Sequence, residues 1–160
     1  MRPLNALRIS GFTLVELLAS VAIIGLLATV AVPMVQTTVK RQKERELRTA
    51  LRELRQGIDA YKQATVSGKI ILSPEDSGYP ATLGVLVEGV DDATRPGTRL
   101  RFLRRIPRDP FQPAAVKPAD TWGKRSFESS AESPQAGVDV YDVYSKSALT
   151  GLNSIPYREW

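Results

Sequence analysis

The chain has no cysteine and no histidine in its 160 residues. Without cysteine there is no disulfide, no thiolate nucleophile, and no zinc or iron–sulfur site built on sulfur. Without histidine the usual general base of neutral-pH catalysis is missing. The sequence also lacks a phosphate-cradling glycine loop, an H-E-x-x-H pair and a G-x-S-x-G elbow. Its adjacent carboxylates, Glu75-Asp76 and Asp91-Asp92, sit in turn-like stretches, where acids cap and solvate loops more often than they act as an acid/base pair. The reading is therefore non-enzymatic. Acid is the scarcer charge: 22 Lys and Arg against 17 Asp and Glu give a net charge of +5, which points to acidic partners without choosing among them. The length allows one domain, or a smaller one with an appendage.

One long apolar run dominates the N-terminal part. Residues 1–11 carry Arg2 and Arg8 and no acid, and from Phe12 to Val35 there are 24 residues with a single charge, Glu16. As a helix this run reaches about 36 Å, enough for a hydrocarbon core of about 30 Å. Apolar residues fall on every side of it, the pattern of a membrane span, and it is too long for the core of an ordinary secretory signal peptide. The basic leader places residues 1–11 in the cytoplasm and the remainder outside. Glu16 does not suit a plain anchor, because a carboxylate in a membrane helix costs about 2.5–3.5 kcal/mol by insertion scales and persists where it has a partner. Gly25 and Pro33 are weak points that predict a kink or a locally melted turn.

The string Gly11-Phe12-Thr13-Leu14-Val15-Glu16, behind a short basic leader and ahead of the apolar helix, resembles the class III signal of type IV pilins and type II secretion pseudopilins. The resemblance implies cleavage by a membrane-embedded prepilin peptidase between Gly11 and Phe12, then N-methylation of Phe12. Pro33 falls where helices of the family carry a proline. Cleavage leaves a charged amine at Phe12, which in a helical stack can approach Glu16 of a neighbouring copy. Such a pair in low dielectric recovers much of the penalty of a lone carboxylate and rewards one register. Glu16 is thus the expected assembly residue; the competing reading is a side chain that merely snorkels to the headgroups.

Beyond Val35 the helix turns amphipathic. Leu47, Leu51, Leu54, Ile58 and Tyr61 recur at spacings of four, three, four and three, one apolar stripe expected to pack the helix against a sheet. Glu44 and Arg48 stand four apart with the acid first, the favourable order for a helical ion pair. Gly68 is the expected stop. In the remainder, Leu83 to Leu86 follow a proline with a short helical signal. Residues 95–118 hold five prolines and read as irregular or extended, and Thr121–Ser129 and Gly137–Ser147 read as strands. The C-terminal Tyr157 and Trp160 are expected to tuck against the domain.

This head also resembles the major pseudopilin of type II secretion, through Tyr79-Pro-Ala-Thr-Leu83, Phe102-Leu-Arg-Arg-Ile-Pro-Arg-Asp-Pro-Phe111, Trp122-Gly123 and Asp142-Val-Tyr-Ser145. Major pseudopilins follow that last strand with an acidic, glycine-rich loop that binds calcium. Here the stretch is KSALTGLNSIPYREW, with Glu159 its one acid. Calcium takes six to eight oxygens, several from carboxylates. Asp139 and Asp142 alone are a poor set, so no metal or other cofactor is expected, and hydrophobic anchoring of Tyr157 and Trp160 is expected to order the tail instead.

Six arginines, Arg95, Arg99, Arg101, Arg104, Arg105 and Arg108, fall within fourteen residues. They read as a basic face for acids of a neighbouring copy, with Arg101, Arg104, Arg105 and Arg108 as interface residues, or as a solvated face. Phosphate binding, as in a DNA-uptake pilin, is the weakest reading, and nucleic acid is not an expected partner. The expected architecture is a type IV pilin-like α+β fold: leader 1–11, transmembrane or filament-core helix 12–35, amphipathic helix 36–68, and a periplasmic head 69–160 with a small antiparallel sheet. By the resemblance, the subunit waits in the inner membrane and polymerises with other pseudopilins on an assembly platform to drive protein export. The alternatives are a pilus subunit for adhesion, motility or DNA uptake, and a non-polymerising bitopic anchor.

Overall fold

The computed structural model describes residues 12–160, and of residues 30–33 the backbone alone. The leader and the cleavage position at Gly11 lie outside the described residues. Two compact units, Met1–Val39 and Lys40–Trp160, divide the chain. Helix α1, Leu14–Val66, runs through Gly25 and Pro33 as one uninterrupted element.

The start of α1 is written in its first four residues. The Thr13 hydroxyl accepts the Glu16 N–H at 3.2 Å, and Glu16 lies in the first turn, where a negative charge suits the helix dipole. Thr-x-x-Glu is the capping-box pattern. The other end is closed by Gly68. Its φ of +70° lets its own N–H reach the Thr65 carbonyl at 3.0 Å and the Lys69 N–H reach that of Ala64 at 3.0 Å, the paired bonds of a Schellman stop.

In the unit Lys40–Trp160 the core forms on one face of α1. Leu47, Leu51, Leu54, Ile58 and Tyr61 are buried with Leu83, Leu86, Leu103, Trp122, Val140, Val143 and Tyr157. Helix α2 (Leu83–Glu88) buries Leu83 and Leu86 in that core. The sheet is smaller and more divided than the sequence suggests. Strand β1 (Val90–Asp91) pairs antiparallel with β2 (Arg99–Leu100), and β3 (Trp122–Arg125) pairs antiparallel with β4 (Asp142–Ser145). The first ladder lies partly in the proline-rich stretch expected to be irregular or extended. Asp92 makes it possible by accepting hydrogen bonds from the Thr94 N–H at 2.9 Å and hydroxyl at 2.6 Å while its own N–H reaches the Thr98 carbonyl at 2.8 Å. The Thr94 hydroxyl, the Thr94 N–H and the Arg95 guanidinium together hold the Asp92 carboxyl below its ordinary pKa, against the opposing effect of burial.

The second ladder stops short of the expected strands because side chains and loop carbonyls take the next backbone donors. The Ser126 N–H goes to the Gln135 carbonyl at 2.9 Å and the Phe127 N–H to the Asp139 carboxylate at 2.9 Å. Within the ladder, Gly123 faces Tyr144, and a Cβ on Gly123 would collide with the tyrosine ring. Glycine is what lets the ring cover the strand. Beside it, Trp122 is buried and donates its indole N–H to the Pro107 carbonyl at 2.8 Å. A 3-10 turn over Pro118–Thr121 leads into β3, and another at Tyr157–Glu159 closes the chain.

Candidate functional site

Along the first part of α1 the apolar side chains have no cover. Phe12 is 81% exposed, and Leu14, Val15, Leu18, Ile24 and Leu27 are each more than 60% exposed. By length and composition α1 can cross a membrane. Its hydroxyls suit such a place: Ser20 donates to the Glu16 carbonyl at 2.7 Å and Thr29 to the Leu26 carbonyl at 2.7 Å, so neither needs water. The Glu16 carboxylate makes no hydrogen bond or ion pair with another described residue. An apolar surface this large, with one acid on it, is built for contact outside its own chain. Gly25 is equally uncommitted, since a Cβ there would meet nothing within 4 Å.

In the head, a buried acid does what the sequence pattern did not suggest. Glu44 is not paired with Arg48 four residues on. Its carboxylate turns inward and accepts the Leu152 N–H at 2.8 Å and the Tyr157 hydroxyl at 2.9 Å. Arg48 lies over the Trp160 ring at 4.3 Å. The C-terminal segment is therefore tied to α1 at two points by Glu44 and covered at a third by Arg48. Tyr157 is fully buried and stacks on Phe111 at 4.2 Å, with Trp160 edge-on at 4.9 Å. Burial first, then the adjoining Glu44 carboxylate, pushes the Tyr157 hydroxyl well above its ordinary pKa. A second tie joins Arg55 to the Asp142 carboxylate at 2.8 Å and to the Trp160 carbonyl at 2.7 Å.

Asp109 is the other buried acid that the motif string contained without revealing its task. It is fully buried, accepts the Ser145 hydroxyl at 2.5 Å and the Phe111 N–H at 2.8 Å, and so links the proline-rich stretch to β4. Its only sequence signal was its place between Arg108 and Pro110.

The arginine cluster separates into two kinds. Arg95 pairs with Asp92 at 3.0 Å and Arg99 with Asp91 at 3.5 Å, while Arg108 donates to the carbonyls of Val116 and Pro113. Arg101, Arg104 and Arg105 are exposed and make no ion pair with another described residue. Arg105 lines a groove of about 680 Å³ together with Arg45, Glu46 and Glu53 of α1.

The two acids named in the sequence for a metal, Asp139 and Asp142, are hydrogen-bonded within the head. Asp142 is committed to Arg55 and to the Val143 N–H, and Asp139 to the Phe127 N–H. Among the described residues no three acids cluster as a metal would need.

A long N-terminal helix, apolar for its first half, carrying small antiparallel ladders on its second half is a pilin-like α+β arrangement, and the prokaryotic N-terminal methylation motif matches residues 7–32. The chain therefore carries a class III prepilin signal on a type IV pilin-like fold. It is 26% identical over 138 residues to type II secretion system core protein G of Aeromonas hydrophila, an alignment that covers 82% of this chain and 89% of that relative. No solved structure matches. The similarity and the motif support a pseudopilin or type IV pilin-like role, structural rather than enzymatic, and fit a single-pass inner-membrane protein.

Proposed function

We propose that this chain is the structural subunit of a periplasmic pseudopilus that drives protein export by a type II secretion system. The observation that carries the reading is the uncovered apolar helix with Glu16 as its one acid, joined to a likeness to core protein G that runs through the head. Prepilin peptidase cleaves between Gly11 and Phe12, and Phe12 becomes the methylated N-terminus. The subunit then waits as a single-pass inner-membrane protein with its head in the periplasm. On assembly with other pseudopilins at the membrane platform, residues 12–35 leave lipid for a helical core, and Glu16 meets the Phe12 amine of a neighbour. Gly25 and Pro33 give the helix room to bend between the two settings. Arg101, Arg104 and Arg105 face acids of the adjacent copy, whereas Arg108 serves inside its own head. Mass spectrometry of the mature protein tests the processing route: the expected species begins at Phe12 and carries one methyl group. A mature species that retains residues 1–11 overturns it. Electron microscopy after overexpression is expected to find filaments, and a protein that stays monomeric overturns the polymer.

The C-terminal segment, on this reading, is ordered by Glu44, Tyr157 and Trp160 in place of calcium. Chelation by EDTA is accordingly expected to leave the thermal unfolding midpoint unchanged, and added calcium to leave it unchanged too. A calcium-dependent rise of several degrees, the size that about 1 kcal/mol gives in a domain of this length, overturns that assignment.

A further inference from the structure

The segment between β4 and the final 3-10 turn presents three apolar tips. Leu149 is 58% exposed, Leu152 45% and Ile155 44%, spaced every third residue. The backbone that carries them is held firmly. Thr150 and Pro156 form an antiparallel bridge, the Gly151 N–H reaches the Ile155 carbonyl at 2.9 Å, and the Ser154 N–H reaches the Gly151 carbonyl at 3.0 Å. Ser154 takes a left-handed φ of 62°, uncommon for a residue other than glycine. A loop so fixed, yet aimed outward with leucine and isoleucine, needs a partner that accepts apolar side chains.

Its position says which partner. The Leu152 N–H is bound to Glu44, and Lys40, Arg41 and Lys43 lie within four residues of Glu44 on the same helix, about 6 Å along its axis. In sequence, Glu44 stands nine residues after Val35, the end of the 24-residue apolar run. Apolar tips on a loop bonded to Glu44, with Lys40, Arg41 and Lys43 close by on the helix (the Lys43 ammonium also lying over the Phe111 ring at 5.8 Å) and the apolar run a few residues earlier in sequence, match the two layers of a lipid surface: acyl boundary for the leucines, phosphate for the cations.

We propose that the loop 149–155, together with Lys40, Arg41 and Lys43, docks the head onto the anionic lipid surface of the membrane that holds the helix. The proposal rests on the membrane-resident reading above. Docking holds the waiting subunit against the bilayer, and its release accompanies extraction into the filament.

The absence of cysteine makes the test direct, because one introduced thiol gives one labelled site. The full chain is reconstituted in phosphatidylcholine vesicles with and without phosphatidylglycerol, together with a lipid that carries a fluorescence quencher just below its headgroups. A fluorophore on Ala148→Cys, next to the loop tips, is expected to be quenched, and more strongly with phosphatidylglycerol. A fluorophore on Glu75→Cys is expected to stay bright. Residue 75 lies near Ser77, whose carbonyl is bound by Lys62, so it sits some 18 helix residues, or about 27 Å, beyond Glu44. Adding Leu149→Ser, Leu152→Ser and Ile155→Ser is expected to abolish quenching at position 148. Lys40→Gln, Arg41→Gln and Lys43→Gln together are expected to remove only the phosphatidylglycerol increment, each cation being worth about a five-fold change in docked population.

A label on Ala28→Cys, within the apolar helix, reports insertion separately. If it is quenched and Ala148→Cys is not, the docking surface is wrong and the membrane reading stands. If neither is quenched, both fail. If position 148 is quenched only by a labelled second copy, the loop faces another subunit and lipid docking is overturned. Quenching that survives the triple serine variant overturns it as well.

Discussion

Glu16→Ala is expected to abolish filaments while the leader is still removed and the protein still reaches the membrane. Two free-energy changes act in the same direction. Removing the carboxylate makes the waiting subunit more comfortable in lipid by up to about 2.5–3.5 kcal/mol, the insertion-scale cost at the centre of a membrane helix. It also deletes the partner of the Phe12 amine in the filament, so the polymer loses what the monomer gains. Even about 2 kcal/mol per contact lowers the equilibrium constant of each subunit addition about 30-fold, and the loss recurs at every step. Glu16 has a second, smaller role at the start of α1, where its charge favours the helix by about 0.3–1 kcal/mol. Glu16→Asp tells the two apart. It keeps the first-turn charge but withdraws the carboxylate by one methylene, so an effect through the helix start leaves assembly intact, whereas pairing with a neighbour predicts fewer filaments. The measurement is filament yield by electron microscopy beside mass spectrometry of the processed N-terminus. Filaments at normal yield from processed Glu16→Ala overturn the docking role.

How much of this was legible in the sequence depends on the distance over which each feature is decided. Helix α1 was legible almost to its ends because its signals are local: a stripe repeating every three to four residues, and Gly68 at the stop. The capping pattern Thr13-x-x-Glu16 was equally local and readable, but the interest of Glu16 as a membrane acid hid it. The strands were legible in place and not in length, since Asp139 and Gln135 take the donors of Phe127 and Ser126 from loop positions that no strand pattern encodes. The ladder of β1 and β2 was not legible at all. It depends on Asp92 folding a turn back over the Thr98 carbonyl, and two-residue strands have no alternation to detect. The clamp at Glu44 was hidden for a similar reason. Its partners Leu152 and Tyr157 are more than 100 residues away, and the nearby Arg48 offered a plausible local partner that the fold assigns to Trp160 instead.

That clamp carries the largest expected stability effect. Glu44→Ala is expected to lower the unfolding free energy by about 2–4 kcal/mol, because hydrogen bonds to a charged acceptor are worth about 1.5–3 kcal/mol and a buried hydroxyl and a half-buried N–H lose theirs together. Glu44→Gln keeps the shape and one acceptor oxygen, so its cost is expected near 1 kcal/mol. In both, hydrogen exchange at the Leu152 amide should speed up before that of the core helix, since the bond that protects it runs to this side chain. The alkaline limb gives an independent reading. Tyrosine in the unfolded chain ionises near 10.0, whereas Tyr157 in the fold is held neutral to higher pH by burial and by Glu44. Above that point the folded state keeps a proton that the unfolded state has released. The contribution is thus complete below pH 10 and falls as pH rises, by about 1.4 kcal/mol per unit. Tyr157→Phe is expected to flatten this fall without removing it, because burial raises Tyr61 and Tyr79 as well. Denaturant melts of the detergent-solubilised chain between pH 8 and about 11.5 measure the slope. If Tyr157→Phe leaves it unchanged, or if Glu44→Ala unfolds no more readily than the parent, the buried acid is not what fastens the C-terminal segment to the helix.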